Sequence, residues 1–150
     1  MSLQDQELSG DLVREALTTG EVTRHVRSIE DRLQAANLAA NPNRVRLEQA
    51  YNAIHICART ALRVEGYRIT SRRGHHQVAL QSLNETMGID NADIDYFLNL
   101  SGERGDDIYD AAPVGDSDVS EAVEAAAKLA ETLRAWLAVR VPEELRDDDA

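Results

Sequence analysis

The chain has 150 residues, of which 43% are hydrophobic and 29% charged, with a formal net charge of -11 and only 3 prolines and 8 glycines. This composition is that of an ordinary soluble globular protein and excludes general disorder, and the length suits one domain that buries roughly two thirds of its unfolded surface. A lone cysteine excludes an internal disulfide, and no apolar stretch reaches the roughly 18 residues of a membrane span.

In chain order, Leu8, Leu12, Val13, Ala16 and Leu17 have helical spacing and Gly20 is placed to end the segment, which predicts a peripheral N-terminal helix within residues 1–20. Val22, Val26, Ile29, Leu33, Ala36 and Ala40 then step by three or four residues, one stripe of an amphipathic helix that Asn41-Pro42-Asn43 stops. From Asn43, the residues Leu47, Ala50, Ile54, Cys57, Ala58, Ala61 and Leu62 form a face wide enough to predict a central helix over 43–65. Cys57 on that face is expected to be a buried structural thiol. The stretch from Glu65 to Gly74 has no helical period and is expected to be an exposed connection. Val78, Ala79, Leu83 and Met87 predict a helix over 75–87, closed by Gly88, and Ile94, Phe97, Leu98 and Leu100 a short one over 91–103. A loop follows over 109–116. Asp118 with Glu121 is an N-cap pair opening a last helix over 118–140, which Pro142 ends, with a frayed acidic tail over 143–150.

No segment alternates with strand period and no internal repeat is visible. The expected fold is therefore a single all-α domain over residues 1–150, an antiparallel up-and-down four-helix bundle with one or two additional short helices. The start Met1-Ser2-Leu3-Gln4-Asp5 lacks the basic region and apolar run of a targeting segment, so a cytoplasmic location with no membrane contact is expected.

Within Asn43 to Asp110, a long apolar helix carries Ala50-Tyr51-Asn52-Ala53 and Gly66-Tyr67-Arg68. It leads to a helix start at Gly74-His75-His76 and later to Arg104-Gly105-Asp106-Asp107-Ile108-Tyr109-Asp110. That order of signals resembles the HEPN domain family, small helical bundles of prokaryotic toxin-antitoxin and defence systems, some of which cleave RNA. The resemblance covers roughly two thirds of the chain, read helix by helix. It implies a homodimer whose partner is a nucleotidyltransferase-type antitoxin, another protein or RNA. HEPN nucleases place an Arg, then four to six residues, then a His, and need no metal or cofactor. Here the Arg is Arg104, the residue after it is Gly105 where the family often has Asn, and Tyr109 stands where the His is expected. A tyrosine with a pKa of about 10 is a poor general base near neutrality. The resemblance therefore implies a non-catalytic module that binds a protein or RNA, and the alternative is a metal-independent RNase with an altered Arg104-x4-Tyr109 site.

The charge is polarised, since residues 1–75 hold 11 arginines and 9 carboxylates, whereas residues 76–150 hold 5 basic residues and 18 carboxylates. Arg59, Arg63, Arg68, Arg72 and Arg73 form the one basic cluster, and with His75 and His76 they make Arg68, Arg72, Arg73, His75 and His76 the candidate binding residues. A duplex would meet the repelling field of the whole chain. The acidic stretches Asp90 to Asp95 and Asp106 to Asp118 instead complement the cluster across a subunit contact. Adjacent histidines point to different sides of a helix, so no metal site is expected at His75-His76, although His55 could approach one of them across the bundle.

Overall fold

The computed structural model describes residues 2–70, 74–110 and 113–146, apart from the side chains of residues 75, 102–110, 145 and 146. The chain is predominantly helical. In order it forms α1 (Leu3–Leu8), β1 (Leu12–Arg14), α2 (Glu21–Asn37), α3 (Asn43–Val64), β2 (Tyr67–Ile69), α4 (His75–Gln81), α5 (Leu83–Met87), α6 (Asn91–Asp110), α7 (Asp116–Arg140) and α8 (Pro142–Arg146).

Helix α3 is the centre, as its apolar face requires. Ala50, Tyr51, Ala53, Ile54, Cys57, Ala58, Ala61 and Leu62 are all buried, and the helix packs against α2, α4, α5, α6, α7 and β2. Its many alanines let the neighbouring backbones come close. The stripe Val22, Val26, Ile29 and Ala36 seats α2 on this centre, and Val119, Ala122, Ala126, Leu129, Ala130, Leu133 and Leu137 seat α7. Arg134 to Glu30 and Arg140 to Glu65 tie α7 to α2 and to the end of α3 at the surface. The thiol of Cys57, buried among apolar atoms, has its pKa pushed up to about 12, which fits a packing role.

Several elements differ from the sequence expectation. The N-terminal segment is not one helix: α1, opened by a Ser2–Asp5 capping box, ends at Leu8, and Gly10 turns the chain at φ 87. The chain then runs as β1, antiparallel to β2, with Leu12 opposite Ile69, Val13 opposite Arg68 and Arg14 opposite Tyr67. This ribbon takes up residues 67–69 of the exposed connection expected from Glu65 to Gly74, of which residues 71–73 lie outside the described residues. Leu12 and Tyr67 turn inward and are buried, the Arg14 guanidinium lies 5.1 Å from the Tyr67 ring centroid, and the Glu15 N–H donates to the Gly66 carbonyl at 2.9 Å. Gly66, at φ 89, makes the tight return from α3 into β2.

The helix expected over 75–87 is two short helices meeting at Ser82, whose hydroxyl donates to the Ala79 carbonyl at 2.6 Å. Helix α6 runs on to Asp110, past the expected end at 103. Helix α7 begins at Asp116 rather than 118. Asp118 is its third residue, accepting from the Gly115 N–H at 3.3 Å, and Asn43 on α3 donates to the Val114 carbonyl and the Asp116 carboxylate at 3.0 and 2.7 Å. Part of the expected frayed tail is helix α8, with Pro142 as its first residue, where a missing N–H costs nothing. The Thr23 hydroxyl on α2 donates to the Glu144 carbonyl at 3.0 Å and docks it. Among the described residues, no helix is long and apolar enough to cross a membrane.

Candidate functional site

The β1–β2 ribbon closes one side of a cleft whose floor is the C-terminal half of α3. Helix α2 forms a second side, and α4 brings a histidine to the rim. The cavity, about 400 Å³, is lined by residues that include Glu15, Glu21, His25, His55, Arg59, Arg63, Arg68 and His76. A second hollow of about 220 Å³ shares His55, Arg59 and His76 with it and adds Arg32 and Asn52. The two hollows thus adjoin at these three residues, and the larger is of a size usual for small-molecule sites. Its lining sets arginine and histidine against only two glutamates, in a chain whose net charge is -11.

Arg63 is the structural keystone of this wall. Its side chain is only 9% exposed, and every arm of its guanidinium is engaged. Nε donates to Glu21 at 2.5 Å, Nη2 donates to Glu21 at 3.1 Å and to the Ala16 carbonyl at 2.9 Å, and Nη1 donates to the carbonyls of Glu15 and Tyr67 at 2.9 and 3.2 Å. One arginine thus satisfies the irregular backbone after β1 and the first residue of β2 while pairing with the first turn of α2. The Arg63 hydrogen bonds, with help from Thr18, hold the Glu21 carboxyl down at about 2.

Arg59 and Arg68 differ from Arg63 in being exposed. Arg68 lies 3.4 Å from Glu15, and both side chains are 48% exposed, so this pair is weak and an incoming anion can displace it. Arg59, one helical turn before Arg63, has no ion pair or hydrogen bond among the described residues.

Three of the four histidines gather here. His55 on α3, buried, and His76 on α4, exposed, meet Nε2 to Nδ1 at 2.8 Å with ring centroids 4.4 Å apart, and Tyr51 flanks His55 at 6.2 Å. A bond between two ring nitrogens carries one proton, so the pair shares a donor and an acceptor. The approach of His55 to the histidine pair across the helices is as expected from sequence. Among the described residues, no group of three or more His, Cys, Asp or Glu side chains could hold a metal ion.

His25, on α2, is fixed by Thr60. The buried Thr60 hydroxyl has one proton, which it donates to the Ile56 carbonyl at 2.7 Å, so its oxygen accepts from His25 Nδ1 at 3.2 Å. The proton of neutral His25 is therefore on Nδ1, and Nε2 keeps its lone pair. Burial, with Arg59, Arg24 and Arg63 adding to it against Glu21, lowers the His25 pKa below the usual 6.5 and keeps the ring neutral at physiological pH.

Of the sequence candidates, the structure brings Arg68 and His76 into this cleft. Arg72 and Arg73 lie outside the described residues, and so does the side chain of His75. Arg104 and Tyr109 fall within α6, with side chains also outside the described residues. Sequence reasoning missed His25, Glu15, Glu21 and the role of Thr60. The one local signal was that His25 lies three residues after Val22 and four before Ile29, on the stripe of α2 that faces the core. Set against family models, curated protein sequences and solved structures, the chain matches none of them.

Proposed function

We propose that this chain is a non-catalytic, HEPN-like binding module, built on an antiparallel four-helix arrangement of α2, α3, the α4–α5 pair and α7, whose cleft holds a phosphate-bearing ligand. The ligand is a single nucleotide unit, either free or at the end of an RNA, and the setting that the resemblance implies is a toxin-antitoxin or defence locus. The observation that carries the assignment is Arg59: an exposed guanidinium with no counter-ion among the described residues, at the junction of two hollows, beside a displaceable Arg68 and the His55–His76 pair. Guanidinium groups bind phosphate oxygens in bidentate fashion. A net charge of -11 disfavours a long polyanion but does little against one phosphate seated among arginines.

Arg59→Glu is expected to weaken binding of a phosphorylated probe at least about tenfold, the equivalent of one charge-assisted hydrogen bond of roughly 1.4 kcal/mol or more. Titration calorimetry with a nucleoside monophosphate reads this directly. Equal affinity in Arg59→Glu and wild type would refute the site.

The protein is expected to leave labelled RNA intact, because Tyr109 replaces the histidine of the resembled family. Cleavage that persists in chelator and disappears in Arg104→Ala would establish the RNase alternative, and cleavage gained only in Tyr109→His would identify a nuclease scaffold with a replaced group. The same family resemblance supports a homodimer. Sedimentation at micromolar concentration is expected to give twice the chain mass of 16.6 kDa. A monomer at every salt concentration would remove the subunit contact between the basic cluster and the acidic half.

A further inference from the structure

We infer that the cleft reads a ribose hydroxyl beside the phosphate, with His25 Nε2 and the Glu15 carboxylate accepting from sugar O–H groups while Arg59 takes the phosphate. This inference rests on the phosphate-binding assignment and adds to it the half of the ligand that the arginines do not explain.

A site for a bare anion needs only donors. His25 and Glu15 also bring acceptors to this lining, and the His25 ring is held in place by Thr60. The Ile56 carbonyl takes the only Thr60 proton, Thr60 takes the His25 Nδ1 proton, and the chain of bonds ends at an Nε2 lone pair with no hydrogen-bond partner among the described residues. Neutral His25 cannot donate from that atom and so would repel a phosphate oxygen there, whereas a hydroxyl satisfies it. Glu15, half exposed just after β1, lines the same cavity with its carboxylate 3.5 Å from Arg63 and 3.4 Å from Arg68, and supplies a further acceptor. The apolar members of the lining, Leu62, Tyr67 and Ile69, supply the faces against which a sugar or base would pack. A cavity of about 400 Å³ accommodates a nucleotide unit and not a macromolecular surface.

The test uses the full chain and titration calorimetry with adenosine 5′-monophosphate, its 2′,3′-dideoxy analogue and inorganic phosphate. The expected result is about tenfold tighter binding of the monophosphate than of the dideoxy analogue, since a lost hydroxyl leaves the paired acceptor unsatisfied. In His25→Leu that ratio is expected to fall toward one. Because the ratio is first read in the wild-type protein, it does not depend on how well the variant folds, and a thermal melt of His25→Leu checks the variant itself. Equal affinity for the two nucleotides in wild type would overturn hydroxyl reading while leaving phosphate binding intact. If none of the three probes binds, phosphate binding fails and this inference fails with it. A 5′-phosphorylated RNA pentamer in competition separates the two sources: displacement at lower concentration than the free nucleotide supports an RNA end, and displacement only at equal or higher concentration supports the free nucleotide.

Discussion

Arg63→Ala is expected to destabilise the fold by about 3 kcal/mol or more, the usual cost of removing one member of a buried ion pair. The loss is large because the guanidinium is not merely paired. It removes the donors used by the Glu15, Ala16 and Tyr67 carbonyls and leaves Glu21, whose side chain is only 12% exposed, without its cation. Arg63→Lys would keep the charge but lose the planar fork, and should recover only part of the stability. Denaturant unfolding followed by circular dichroism measures both. A cost below about 1 kcal/mol for Arg63→Ala would place the pair among ordinary surface salt bridges.

The same pair sets a pH dependence. Glu21 titrates at about 2 when folded, against an ordinary value of 4.5, so between those limits the unfolded chain binds more protons. Its stabilisation is complete above pH 4.5 and is lost as pH falls toward 2. His25 acts with the same sign at higher pH: its folded pKa lies below 6.5, so the unfolded state takes up its proton first and stability begins to fall as pH drops through 6.5. Arg63→Ala should shrink the acid-side decline due to Glu21, leaving the part that Thr18 supports, and should alter the earlier one only slightly.

Ile54→Ala and Leu133→Ala are each expected to cost about 2 to 5 kcal/mol. Both side chains are fully buried, at 0% and 1% exposure, on α3 and α7, the helix pair that forms much of the core. Each truncation leaves a cavity in a core where many of the buried side chains are small, among them Ala50, Ala58 and Ala61 on α3 and Ala126 and Ala130 on α7. Small side chains have no reach with which to refill the space, which puts these sites toward the upper end of the range. A cost below about 1 kcal/mol would mean that the core relaxes around the change. Because neither Ile54 nor Leu133 itself lines the cleft, phosphate-ligand affinity per folded molecule should change far less than stability in either variant.

The helices α2, α3 and α7, and the burial of Cys57, were legible from sequence alone because apolar spacing of three and four residues is a local signal. It is repeated often enough along these segments to outweigh any single residue. The same signal placed a helix start at His75. What local pattern could not encode was pairing between distant segments. Strands of three residues are too short to show alternation, and Leu12 and Val13 happened to fit a helical spacing with Leu8, so the ribbon became evident only when β1 found β2. The site has the same origin. Arg63 reaches Glu21 over 42 residues, Thr60 fixes His25 over 35, and His55 meets His76 over 21. In sequence the five arginines from Arg59 to Arg73 form one undivided cluster. Only the tertiary structure separates Arg63, consumed in holding the fold, from Arg59, left facing the cleft, because which guanidinium is satisfied depends on the carbonyls and carboxylates that folding brings to it.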